Sequence, residues 1–158
     1  MTPDEAVRHA ARALAEVCAT LPDLKLEIGG EPAPFEPDGV TMGSCISLTQ
    51  RGGSWVLAMV ADERTGAVMT RTLFGMEPDE HPGKEEHADA LGEITNMTAG
   101  VVKRTVTEID DQPITIGLPL FLSGTDALVY VGKGIRLLAQ RLVGPGDLHA
   151  QVVLFWQG

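Results

Sequence analysis

The stretch that most limits what this chain can become runs from Glu85 to Val106. At about 100° per residue, with Glu93 set at 0°, Ala90, Leu91, Ile94, Met97, Thr98, Val101 and Val102 fall between about 40° and 180°. Asp89, Glu93, Asn96, Gly100, Lys103 and Arg104 fall between about 280° and 20°. A segment partitioned this way predicts a long helix with one buried face and one exposed face. Asn96 follows Glu93 by three residues and Gly100 follows Asn96 by four, so the three stack as neighbours on the exposed side. Asn is a mediocre helix former, and Gly costs about 1 kcal/mol against Ala inside a helix. Both face away from the core, so core packing does not account for them. A surface task is one reading; a surface accident at Asn96 and close packing of Gly100 against a strand are the others.

The rest of the chain supplies a sheet for that helix. Thr2, Pro3 and Glu5 form a capping box with proline at the first helical position. Val7, Ala10, Leu14, Val17 and Leu21 then make one apolar stripe, which Pro22 and Asp23 end. Residues 24–39, with Gly29-Gly30 and three prolines, predict a short strand followed by a loop. Strands are expected over 40–50 and 54–61, joined by the turn Arg51-Gly52-Gly53. A short helix over 65–74 ends at Gly75, where a glycine commonly terminates a helix. After an acidic Pro/Gly loop and the long helix, the chain turns β-rich. Strands are expected over 114–120, 127–131, 134–142 and 149–156, with Gly144-Pro145-Gly146-Asp147 turning between the last two. With no internal repeat and no linker, residues 1–158 read as a single domain. The expected class is α+β, a mainly antiparallel sheet with helices on one face.

Charge excludes several functions. Twelve basic and 22 acidic residues give a net charge of −10, which argues against nucleic acid and against anionic membranes as partners. Basic or mixed-charge protein surfaces remain. The longest apolar run, about Ile116 to Leu122, is interrupted by Gly117 and Pro119 and is too short to span a bilayer. Residues 1–21 lack the basic start and apolar run of a signal peptide, so a cytoplasmic protein is expected and Asn96-Met97-Thr98 is an accidental match to the glycosylation pattern. Cys18 and Cys45 are expected as buried thiols in a reducing compartment. His81 and His87 with Glu85 and Asp89 lack a metal-ligand spacing, and Asp79, Glu80, Glu85 and Glu86 suit the positive end of a helix dipole without any further role. Met69, Met76 and Met97 read as core filler.

The run D-A-L-G-E-I-T-N-M-T-A-G-V-V-K, from Asp89 to Lys103, resembles the signature helix of the CheX/CheC/FliY family of chemotaxis phosphatases. In that family a helix carries Glu and Asn at E-x-x-N spacing, usually followed by Met and then Gly. The resemblance extends to the amphipathic first helix, to Leu73-Phe74-Gly75-Met76 upstream and to Ile116-Gly117-Leu118-Pro119 downstream. It is strongest over residues 65–122. Two-site members carry a second E-x-x-N helix; here Glu5 is followed by Arg8 and Glu16 by Ala19, so one site is expected.

The resemblance implies hydrolysis of the phospho-aspartate on a CheY-like response-regulator receiver domain. Glu93 would pair with the receiver's lysine, and Asn96 would orient the attacking water without itself becoming charged, as Gln does in GTPases. Gly100 would keep the helix face low, and Asp89 and Lys103 would flank the contact. No cofactor of its own and no metal ligands are implied, because the receiver carries its own Mg²⁺. A homodimer formed through sheet edges is also implied. The alternative is a non-catalytic receiver-binding module, and a more distant one a flagellar or scaffold component.

Overall fold

The computed structural model describes residues 1–37, 39–124 and 136–156. Helix α1 (Pro3–Ala19) starts as its sequence dictates: the Thr2 hydroxyl accepts from the Glu5 N–H, and the Glu5 carboxylate accepts from the Thr2 N–H at 2.7 Å. These reciprocal bonds satisfy two otherwise orphaned donors and hold the Glu5 pKa below its ordinary value. Its apolar stripe, including Val7, Leu14 and Val17, is buried.

Strand β1 (Glu27–Pro34) runs through Gly29-Gly30 and is longer than expected, at the cost of a register shift between Gly29 and Ala33. Gly30 sits at φ 72°, and Gln140 donates to the carbonyls of both glycines, at 3.2 and 3.0 Å, so the bulge is held by a buried side chain. Strands β2 (Met42–Gln50) and β3 (Gly53–Ala61) form the expected hairpin, closed by Arg51 and Gly52. Helix α2 (Glu63–Phe74) starts two residues earlier than expected because Asp62 caps it, accepting from the Thr65 N–H at 2.8 Å. Gly75 ends it in the left-handed conformation, φ 64°. Helix α3 (Lys84–Asp110) is the long helix, extended past Val106 by a further turn.

The region expected as one strand over 114–120 is two: β4 (Thr115–Ile116) and β5 (Leu120–Ser123). Both pair with β2, but Ile116 faces Leu48 whereas Leu120 faces Cys45, so one extra residue bulges out between them. The chemistry of the bulge is local. Pro119 supplies no N–H to a ladder, and a Cβ on Gly117 would collide with Ser47 Oγ, so any other residue would have to displace that side chain. Strands β6 (Arg136–Val143) and β7 (His149–Trp156) complete the sheet, with a 3₁₀ turn at Pro145–Asp147 between them. The strand expected over 127–131 lies outside the described residues.

Among the described residues the sheet is seven-stranded, in the order β1-β6-β7-β3-β2-β4 with β5 also on β2, and every pair is antiparallel. The main core lies between the helices and one face, joining Leu14, Ile46, Leu57, Leu91, Ile94, Leu142 and Leu154. A smaller cluster on the other face joins Val40, Ala58, Val60, Val153 and Phe155, with Phe35 against it. The class is α+β, as the residues implied.

Candidate functional site: the exposed strip of α3

The inner side of α3 is broader than its helical wheel suggests. Ala90, Leu91, Ile94, Thr98 and Val102 are buried as expected, but so are Gly92, Thr95 and Ala99. Met97 and Val101, assigned to the buried arc, are only half-buried. The physical reason is that α3 is wedged among α1, α2, β2 and β5 rather than laid on a flat sheet, so the dry arc is rotated and widened. Thr95 and Thr98 carry hydroxyls into this interior and satisfy them on the carbonyls of Leu91 and Ile94, at 2.7 and 2.8 Å. Of the methionines expected as filler, Met69 is fully buried while Met76 and Met97 are half-buried.

What remains outside is a narrow strip. Asp89, Glu93, Asn96, Lys103 and Arg104 are exposed, and Gly100 lies between Asn96 and Lys103. Among the described residues, a Cβ built on Gly100 meets nothing within 4 Å. The glycine is therefore not there to let another described part of this chain pack close. It leaves a depression beside Asn96 on an otherwise side-chain-covered face. Charge along the strip is ordered: carboxylates at Asp89 and Glu93, a neutral amide and a bare backbone in the middle, cations at Lys103 and Arg104. Arg104 is tied back to Glu16 of α1 at 3.3 Å, which leaves Lys103 as the strip's cation without an ion-pair partner among the described residues. Glu93 likewise makes no ion pair among them.

Two residues outside the expected site border the strip. Gly92 is buried because Pro119 packs on it; a Cβ there would be 3.6 Å from Pro119 Cβ and Cγ. The bulge that places Pro119 also turns Leu118 and Leu120 outward, 90% and 62% exposed. The Gly-Leu-Pro step in the sequence was the available signal, but nothing in it tells which side chain faces water.

The remaining candidates fall away from the site. His87 Nδ1 is 2.9 Å from the Thr70 hydroxyl, and desolvation holds the His87 pKa below its ordinary value despite the carboxylates of Glu63 and Glu86. Among the described residues no group of three His, Cys, Asp or Glu side chains is placed to hold a metal. Cys18 is buried, and desolvation pushes its thiol up to about 12. Cys45, expected to be buried, is half-buried with its pKa raised for the same reason. No helix among the described residues is long and apolar enough to cross a membrane.

A helix-backed antiparallel sheet with this connectivity is the fold of CheC- and CheX-like proteins. The CheC-like superfamily protein of Shewanella sp. PV-4 superposes with a TM-score of 0.77 at 17% identity, over 100% of both chains. The chemotaxis protein CheX of Vibrio vulnificus gives 0.76 at 19%, over 97% of this chain and 99% of that one. The Borrelia burgdorferi structure described as a CheX-CheY-BeF₃-Mg²⁺ complex gives 0.76 at 19%, over 98% and 97%. No curated protein sequence matches significantly. The sequence profile of the family described as "Chemotaxis phosphatase CheX" matches residues 42–142, and the chain belongs to that family.

Proposed function

We propose that this protein hydrolyses the phospho-aspartate of a CheY-type receiver domain, using Glu93 and Asn96. The observation that carries the reading is the strip itself: a carboxylate and an amide one helical turn apart, both exposed, beside a glycine whose missing side chain serves no contact among the described residues. Support for the partner comes from the family and from the Borrelia burgdorferi CheX, whose structure is a complex with CheY.

The chemistry asks little of the enzyme. An acyl phosphate already has a good leaving group, so the barrier is lowered by holding one water in line with phosphorus. The Asn96 amide oxygen accepts from that water. As the water oxygen bonds to phosphorus, the phosphorus–oxygen bond to the aspartate breaks, regenerating the carboxylate and releasing inorganic phosphate; the water's proton passes to solvent. Glu93 pairs with the lysine of the receiver and sets the register of docking. Asp89 and Lys103 flank it, and Gly100 gives the partner backbone room to approach. Mg²⁺ is supplied by the receiver.

The test is phosphate release from a phosphorylated receiver by wild type, Glu93→Lys and Asn96→Ala in parallel. Fast release that depends on both residues is expected. Reversal of the Glu93 charge should weaken binding as well as turnover. Binding without release would favour a non-catalytic docking module, which the same exposed face would equally serve. Assembly as a homodimer through a sheet edge belongs to the same reading.

A further inference from the structure

Helices α2 and α3 carry three glycines, Gly66, Gly92 and Gly100. Two of them are sockets filled from elsewhere in the chain. A Cβ on Gly66 would collide with the thioether of Met42 from β2, and one on Gly92 would meet the Pro119 ring at 3.6 Å. Gly100 is the third socket, and among the described residues it is empty. No atom lies within 4 Å of its Cβ position, the side chains three and four residues away on its own helix included. Both internal occupants are apolar, and the reason is general. In mid-helix the backbone N–H and C=O groups are bonded to one another, so the floor that a glycine bares has no free donor or acceptor to offer. A polar group pressed onto that floor would give up its water without a replacement bond, whereas an apolar one gains dispersion contacts. Asn96 and Met97 border the empty socket on one side and Lys103 and Arg104 on the other, being its neighbours three and four residues away. Met97 is half-buried and packs on the core, which makes it an apolar wall. Arg104 is held toward Glu16, while Lys103 makes no ion pair among the described residues.

We propose that Gly100 is the socket for one apolar side chain of the receiver, and that a receiver carboxylate beside this knob pairs with Lys103. The inference rests on the reading of Glu93 and Asn96 given above and adds to it the feature that selects among receivers. At about 1.5 Å per residue along the helix axis, Gly100 lies about 10 Å from Glu93, and Lys103 about 15 Å from it. A receiver that fits presents its lysine, an apolar knob and a carboxylate in that order at about those spacings. One that lacks the knob leaves water over a floor that cannot bond it, and one with a cation in place of the carboxylate is repelled by Lys103.

The test is a double-mutant cycle with a receiver held in its phosphorylated form by beryllofluoride and Mg²⁺, so that affinity is read without turnover. Exposed apolar residues on the lysine-bearing face of the receiver are replaced one at a time by Ala and titrated against wild type and Gly100→Leu. One receiver substitution should weaken binding to wild type roughly tenfold, and Gly100→Leu should weaken the intact receiver by a similar factor. The two together should cost no more than either alone, because both remove the same contact. Reversing the charge of one receiver carboxylate should restore what Lys103→Glu loses. Leu is a good helix former, and a melting curve no lower than that of wild type shows that the loss lies at the surface. Should Gly100→Leu fail to fold, Gly100→Ala decides in its place, with the same coupling and a smaller loss. Strictly additive losses for every pair, or unchanged affinity in Gly100→Leu, would overturn the proposal. Phosphate release judges the underlying reading separately. Release that requires Glu93 and Asn96 beside an additive cycle sinks the socket alone, whereas release indifferent to both residues sinks the reading itself.

Discussion

At the scale of single residues, Gly100 separates folding from function most cleanly. A Cβ there touches nothing within 4 Å among the described residues, so Gly100→Ala should raise stability by roughly 1 kcal/mol through helix propensity alone. A larger side chain at the same place, as in Gly100→Tyr, should leave the fold intact yet weaken receiver binding, because it fills the depression beside Asn96. Denaturant melts and receiver titrations of the two variants measure the two effects; equal receiver binding by wild type and Gly100→Tyr would place the partner elsewhere. Asn96→Ala should lower the dephosphorylation rate about a hundredfold, or roughly 3 kcal/mol of barrier, with partner affinity nearly unchanged. Parallel decay curves of the phosphorylated receiver read this, and equal rates would remove Asn96 from the mechanism.

At the scale of elements, the positioning of α3 depends on how its neighbours begin and end. Asp62 caps α2 and stands 3.6 Å from His149 Nε2 of β7. Asp62→Ala should cost about 1 kcal/mol, read as a lower denaturation midpoint with an unchanged slope. His87, in the first turn of α3, ties that helix to α2 through Thr70. Its pKa is lowered in the folded state, chiefly by desolvation, so the unfolded chain binds the proton more readily. The resulting stability is present above about pH 6.5 and is lost as the pH falls below it through the folded pKa. Relative to His87→Gln, wild type should therefore lose stability between about pH 7 and pH 5. Parallel pH dependences of the two would show that His87 does not titrate between the states.

At the scale of the whole molecule, the prediction is association. Leu118 and Leu120 are large apolar side chains left in water at the β4–β5 side of the sheet, while the opposite edge strand, β1, carries Pro32, Pro34 and a bulge that discourage strand pairing. A homodimer is expected by light scattering at micromolar concentration, with Leu118→Glu shifting it toward monomer; a wild type that elutes as a clean monomer counts against it. What the sequence determined by itself is what local chemistry controls. The capping box at Thr2, the stop at Gly75 and the run of α3 needed only propensity and periodicity. The separation of Glu93, Asn96 and Gly100 from the apolar residues followed from the helical repeat. The tertiary structure decided what depends on residues distant in the chain. Thr95 and Ala99 became core because α1, α2 and β5 close around α3, which no helical wheel contains. The expected strand over 114–120 split where Gly117 passes against Ser47, a neighbour only once β2 is in place. That split turned Leu118 to solvent and set Pro119 on Gly92, bringing an apolar step to the border of the Glu93–Asn96 strip. Local periodicity knows nothing of such meetings, because they are settled by which surfaces exclude water from one another.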